Sequence, residues 1–271
     1  MDLPGNSADL LEEDLNNLRI LNRTLGAYRG VLRGLEYLLA ENVTAHFSLL
    51  DIGTGNGDIP AAIVRWAKGK GITVRVVALE SDPVTAAVAR RLTRDLPEIS
   101  IVRGDAFCPP FSPASFDFVL SSQLLHHFSE EEIVVLLRKW SCLARSGLLV
   151  SDLLRHPLAY CGIRLLTFLL TRNEMTRTDA PLSVRRAFTR AEWRELFHQA
   201  RIGEFHLFPL FPFRLLAFFP LGGLRCSAMT WLLWVPARLA PPRRFLWRGR
   251  ATQSSYWIKL FSRAKNSAAI F

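Results

Sequence analysis

LLDIGTGNGDIP, residues 49–60, decides how the rest of the chain is read. An apolar run ends at Asp51, a turn carries Gly53, Gly55 and Gly57, and a helix-like segment comes next. Glycines allow positive φ and let a ligand approach the backbone closely. Such a turn offers backbone N–H groups and a helix N-terminus to an electron-rich ligand.

Outward from the turn, strand-like and helix-like segments alternate. Strands are expected at 47–52, 74–79, 99–102, 116–120 and 147–152, and helices at 59–68, 83–95 and 130–144. Near-continuous apolar runs such as SLLDI and VRVVAL suit parallel strands buried on both faces. The alternation predicts an α/β fold with a doubly wound, Rossmann-like parallel sheet. Upstream, leucines from Leu10 to Leu38 recur at spacings of three and four, so 8–40 reads as helix, with Ser7 as N-cap and Gly26 and Gly30 as points of division.

Beyond Asp152 the rhythm breaks. Residues 157–170 read as an apolar helix and 173–186 as a polar loop. Residues 189–200 read as a helix with a capping box from Thr189 to Glu192. Residues 204–207 and 214–218 read as two strands around LFPLFPF. The chain divides into a helical cap at 1–44, a main domain at 45–219 and a basic, Trp- and Arg-rich extension at 220–271. The low-charge stretch 208–235 is broken by Arg214, Pro220 and Arg225 and falls short of the roughly 20 apolar residues of a membrane span.

The 271 residues carry a formal net charge of +10. Glu204 is the last acidic residue, so the excess belongs wholly to residues 205–271, and the body is neutral. Four cysteines, Cys108, Cys142, Cys161 and Cys226, form no CxxC pair, and they read as reduced thiols. No metal-ligand set is read. The acidic N-terminus shows no secretory or transit pattern, which points to the cytoplasm. Trp231, Trp234, Trp247 and Trp257 lie among arginines and lysines in the extension. That mixture suits peripheral contact with an anionic membrane surface. It also suits RNA, or an extension without a role.

The strand after the turn ends on Glu80, whose two oxygens match the paired hydroxyls of a ribose. A dinucleotide fold wants G-x-G-x-x-G for a pyrophosphate. Here the spacing is G-x-G-x-G with Asp51 before and Asp58 after, which favours a ligand with a positive centre, such as the sulfonium and ammonium of S-adenosylmethionine.

With these motifs in order the sequence resembles the class I S-adenosylmethionine-dependent methyltransferases over residues 45–219. The segment FSPASFDFVLSSQLLHHF at 111–128 is similar to the small-molecule subgroup that includes ubiquinone, menaquinone and natural-product enzymes. DAPLSVRRAFTR at 179–190 is similar to a cap segment in a bacterial branch of it. The resemblance implies S-adenosyl-L-methionine as cofactor. It places Asp51, Gly53, Thr54, Gly55 and Gly57 at the methionine and sugar, and Glu80 at the ribose. Ser81 and Asp82 flank the ribose and adenine edge, with Asp82 also an N-cap. Asp105 meets the adenine amine, with Ala106 and Phe107 walling the ring. Ser122 and Gln123 face the methionine arm or the acceptor.

His126 and His127 lie just after the fourth strand. A neutral imidazole there suits a general base that takes a proton from a phenol or enol, with His127 favoured; a packed histidine shaping the pocket is the alternative. Asp117 and His156 read as structural, and His198 as solvent-facing on an amphipathic helix. Arg177, Asp179, Ser183, Arg185 and Arg186 read as substrate recognition or as a salt-bridged surface. The implied activity is methyl transfer to oxygen or carbon of a small apolar acceptor. A nucleic-acid methyltransferase is disfavoured, because the place of the Asn/Asp-Pro-Pro-aromatic motif reads SSQL. A non-catalytic binding protein is the remaining alternative, and the oligomeric state is not legible.

Overall fold

The structure is a computed structural model and describes residues 6–41 and 45–221, with the backbone alone at 6–12 and 41. In chain order the elements are α1 (Asn6–Thr24), α2 (Ala27–Glu41), β1 (His46–Ile52), α3 (Asp58–Gly69), β2 (Thr73–Glu80), α4 (Pro83–Thr93), β3 (Ile99–Arg103) and β4 (Phe116–Ser122). A short 3-10 turn (Leu125–His127) leads to α5 (Glu130–Leu143), β5 (Ala144–Leu153), α6 (Pro157–Leu170), α7 (Glu174–Arg186), α8 (Arg190–Ala200), β6 (His206–Leu210) and β7 (Arg214–Pro220). The described residues fall within the compact unit Met1–Trp234.

The sheet has seven strands in the order β3-β2-β1-β4-β5-β7-β6. β1 to β5 pair in parallel, whereas β7 runs antiparallel to β5 and β6 antiparallel to β7. Strand order reverses between β1 and β4, and ligands of such sheets bind outside the carboxyl ends of the strands at that reversal. Pro209 is tolerated in β6 because that strand is the sheet edge.

Each face of the sheet has its own core. One packs Leu50, Ile52, Val119 and Leu148 against Trp140 of α5 and Trp193 and Phe197 of α8. The other packs Leu49, Phe118, Leu120 and Leu216 against Val31, Leu35 and Leu38 of α2 and Ile63 and Val64 of α3. Residues alternate between faces along a strand, so the runs that read as continuously apolar serve both cores.

The N-terminal helix divides at Gly26, which has φ 78°. Gly30 instead lies inside α2, where a Cβ would stand 2.5 Å from Leu210 Cδ1. Ser7 is already within α1 rather than ahead of it. The capping box from Thr189 to Glu192 is present.

The expected loop at 173–186 is a helix. Asn173 caps α7 by accepting from Met175 N (3.0 Å) and Thr176 N (3.2 Å). Thr176 is buried and donates to Asp14 Oδ1 of α1 at 2.7 Å. The face of α7 that meets α1 is polar, so no apolar period announces it. Arg177 donates to Thr171 O (2.7 Å) and Phe168 O (2.9 Å), closing the end of α6. α6 leaves Leu165, Phe168 and Leu169 exposed.

Cys108 and Cys161 are free thiols, as expected. Cys142 is disulfide-bonded, so the reduced reading fails there. Cys226 and the tryptophans of the extension lie outside the described residues. Among the described residues no helix is long and apolar enough to cross a membrane.

Candidate active site

The glycine-rich turn joins β1 to α3 at the carboxyl end of the sheet. Gly53, Gly55 and Gly57 all have positive φ, at 72°, 60° and 78°. Gly53 N and Thr54 N both donate to Leu79 O, at 2.9 and 3.1 Å, which folds the turn over the end of β2. A Cβ on Gly53 would stand 2.7 Å from Leu124 Cδ2, and one on Gly57 2.9 Å from Thr93 Cγ2. A Cβ on Gly55 would meet nothing within 4 Å. Gly53 and Gly57 are therefore required by packing, whereas the backbone at Gly55 faces open space that a ligand can use.

Three carboxylates surround that opening. Glu80 Oε2 accepts from Gly55 N at 3.0 Å, and Oε1 accepts from Ser81 N at 2.9 Å and Asp82 N at 3.1 Å. Asp51 is 2% exposed and its Oδ2 has no hydrogen-bond partner. Burial, with the charges of Asp58 and Glu80 added to it, pushes its carboxyl up to about 7. Burial also raises Asp58 and Glu80. Among the described residues no cation forms an ion pair with any of the three. Carboxylates without an ion-pair partner at an opening in the backbone fit a ligand that carries positive charge.

Other expected contacts fall nearby with mixed outcomes. Asp82 is the N-cap of α4, its Oδ2 accepting from Thr85 N at 2.7 Å. Asp105 is exposed, and its Oδ1 accepts from Phe107 N at 2.9 Å. Trp140 Nε1 and Lys139 Nζ hold the carbonyls of Ala106 and Phe107, each at 2.9 Å. Ser122 ends β4 with an unpartnered Oγ. Gln123 does not face an opening with its amide; it donates from Nε2 to Asn22 Oδ1 at 2.6 Å.

That contact belongs to a network the sequence did not announce. Asn22 Nδ2 and Tyr28 Oη both donate to Asp58 Oδ2, at 3.2 and 3.1 Å, and Asn56 Nδ2 donates to Leu15 O at 2.9 Å. α1 and α2 are thereby fastened over the turn. Asn22 interrupts the leucine stripe of α1, and this interruption was the one available signal.

The two histidines differ sharply. His126 is 4% exposed, and its Nδ1 lies 2.7 Å from Asp152 Oδ1. Asp152 also accepts from Leu125 N at Oδ2 (3.0 Å) and from Leu153 N at Oδ1 (2.7 Å). Burial alone would raise Asp152, but the charge and hydrogen bond of His126 outweigh it and hold the carboxyl below its ordinary value. An ionised Asp152 requires the proton on His126 Nδ1. Nε2 is buried and has no partner. His127 is exposed and tilts against His126 at 4.2 Å between centroids. Crowding by protein atoms lowers its pKa, and the charge of His126 acts the same way. Solvent contact limits the fall, but the ring is neutral at pH 7 and has no orienting carboxylate. Asp152 thus orients His126, and among the described residues no carboxylate orients His127 in the same way. Asp152 was missed because nothing local marks a buried acid at a strand end as a histidine's partner.

Asp117 and His156 have structural partners, and His198 faces solvent as expected. Asp117 accepts from Ser48 N (2.8 Å) and Arg145 Nε (2.9 Å). His156 caps α6 by accepting from Leu158 N at 3.2 Å. His198 is exposed on α8.

Comparisons with known proteins bear on the fold. The family described as "Methyltransferase domain" matches residues 49–147. A human N-acetylserotonin methyltransferase in complex with SAM superimposes with a TM-score of 0.55 at 17% identity, covering 80% of this chain and 60% of that one. A Nostoc punctiforme protein assigned as an O-methyltransferase gives a TM-score of 0.50 at 19% identity, covering 72% of this chain and 57% of that one. This chain therefore spans less than two thirds of either protein's length. No curated protein matches the sequence.

Proposed function

We propose that this chain, whose residues 49–147 are a methyltransferase domain in a class I S-adenosylmethionine-dependent fold, moves a methyl group to oxygen or carbon of a small apolar acceptor. Phenols, polyketides and quinone-type rings, of the kind made in secondary metabolism, are the acceptor classes. The observation that carries this reading is the buried His126–Asp152 pair at the same end of the sheet as three carboxylates without an ion-pair partner.

When bound, S-adenosylmethionine supplies an electrophilic methyl on a sulfonium, so the protein's work is alignment and exclusion of water. Glu80, its oxygens fixed by three backbone donors, would take the ribose hydroxyls. Asp51 would balance positive charge near the methionine end, aided by Asp58. Asp105, with Ala106 and Phe107, would hold the adenine, and Ser81, Asp82, Gly53, Thr54 and Gly57 would shape the walls. Asp152 holds Nδ1–H of His126, and in the neutral ring Nε2 would accept a proton from an acceptor hydroxyl or enol as its oxygen or carbon becomes nucleophilic. The ion pair so formed, His126 imidazolium with Asp152, is already built.

Incubation with labelled S-adenosylmethionine and fractionated extract tests the proposal. Label in a phenolic or polyketide fraction is expected, and the absence of cofactor binding by a folded sample would overturn it. We place the enzyme in the cytoplasm, with contact to anionic membrane through residues 220–271 supported by composition alone.

A further inference from the structure

Arg214 opens β7 and is 3% exposed. Its Nε donates to Leu25 O, at the junction of α1 and α2, at 2.9 Å. Its Nη1 is buried with no hydrogen-bond partner. Among the described residues no carboxylate lies within ion-pair distance of it. Burial lowers its pKa to about 10, so the guanidinium is still charged at pH 7. Asp152 and Asp58 favour its charged form from a distance, but neither touches it, so Nη1 is left to pair with a group that the described residues do not supply.

Its surroundings mark the kind of anion. Arg214 pairs with Leu153, Leu216 pairs with Ser151, and Ser151 pairs with Ser122. Alternation puts Arg214 on the same face as Leu216, which is the face that α2 covers. On that face Ser151 is 1% exposed and its Oγ has no partner, and Ser122 Oγ and Asp51 Oδ2 are likewise buried without one. A Cβ on Gly30 of α2 would lie 4.0 Å from Ser151 Oγ. A row of unpartnered polar atoms thus runs under the N-terminal helices, across the ends of β1, β4, β5 and β7, from a carboxylate at one end to a guanidinium at the other.

We propose that Arg214, with the Ser151 hydroxyl, recognises a carboxylate carried by the methyl acceptor. This rests on the methyltransferase reading and narrows its acceptor class to apolar or aromatic acids. In that reading the cofactor lies over β1, β2 and β3, through Asp51, Glu80 and Asp105. Arg214 is three strand spacings from β1, about 14 Å, on the opposite side of β4. The acid group of the acceptor then sits about 10 Å, two spacings, from the end of β4.

The test uses the full chain saturated with S-adenosylhomocysteine and two probes, 3-(4-hydroxyphenyl)propanoate and its uncharged amide, titrated by calorimetry. The wild type is expected to bind the acid about tenfold or more tightly than the amide. Arg214→Met should abolish that preference and leave S-adenosylhomocysteine affinity within about twofold, since replacement of a buried charge by a well-packed apolar side chain is commonly tolerated. Should that variant fail to fold, Arg214→Lys carries the comparison, with the preference reduced at least about threefold by loss of the guanidinium fork. No preference in the wild type, or an unaltered preference in the variants, overturns the proposal. Loss of S-adenosylhomocysteine binding in parallel with loss of the acid also overturns it, and assigns Arg214 to the cofactor's own carboxylate. If the wild type binds no S-adenosylhomocysteine, the methyltransferase reading fails separately; the acid–amide comparison without it still decides whether Arg214 holds a carboxylate.

Discussion

Asp51→Asn is expected to stabilise the cofactor-free protein and to weaken cofactor binding. Raised from 3.8 to about 7, the Asp51 carboxyl costs the folded state on the order of 4 kcal/mol once ionised, at about 1.4 kcal/mol per tenfold change in proton affinity. The asparagine lacks that charge, but leaves an unpaired polar atom where Oδ2 already has no partner, a cost of about 1–3 kcal/mol. The net gain at pH 8 is therefore about 1–3 kcal/mol. A carboxyl with a higher pKa folded than unfolded loses stability as pH rises from about 4 to about 7, because the unfolded chain ionises first. The advantage of the variant must then shrink by about 2–3 kcal/mol between pH 8 and pH 5. Urea denaturation of both proteins at the two pH values measures it. Calorimetry at pH 8 should show S-adenosylmethionine bound about tenfold more weakly by the variant, since Asp51 would balance its positive charge. A stability difference that does not change with pH refutes the reasoning, because it would mean that the Asp51 carboxyl is not raised in the folded protein.

Three further outcomes are expected. Glu80→Gln sets one acceptor oxygen and an amide against three backbone N–H donors, and S-adenosylhomocysteine affinity should fall about 10- to 100-fold by calorimetry with the fold retained. Asp152→Asn lets the His126 proton move to Nε2, so labelled methyl transfer to the responsive extract fraction should drop about 10²- to 10⁴-fold while cofactor affinity holds; equal losses of both would point to a structural role. The ring proton resonances of His127 should titrate with a midpoint below the ordinary value, because its pKa is lowered by crowding and by the charge of a protonated His126. A midpoint near 6.5, the ordinary value, would contradict that environment.

Much of the fold was legible because its signals are local. The β1 to β5 runs, the helices between them and the capping box at Thr189 came through with boundaries shifted by a few residues. The polar α7 did not, since its order comes from Asn173 and from Thr176 meeting Asp14, a residue 162 positions away. Site residues divided in the same way. Glu80 and the glycines were marked by spacing along the chain. Gln123 was placed at the right strand end, but its amide was taken up by α1, which spacing within one motif does not reveal.

By itself the sequence determined the order of the elements, the turn with its three positive-φ glycines, and the acids at the tips of β1 and β2, because backbone sterics and hydrophobic period act over a few residues. Only the tertiary structure decided which histidine is oriented, what α1 and α2 fasten, and that Arg214 is buried with Nη1 unpartnered and no carboxylate in contact among the described residues. Strand register and helix docking set all three. They bring His126 to Asp152 across 26 positions, and Arg214 to Leu25 across 189. An unpaired buried charge is a property of surroundings, and no single segment contains its surroundings.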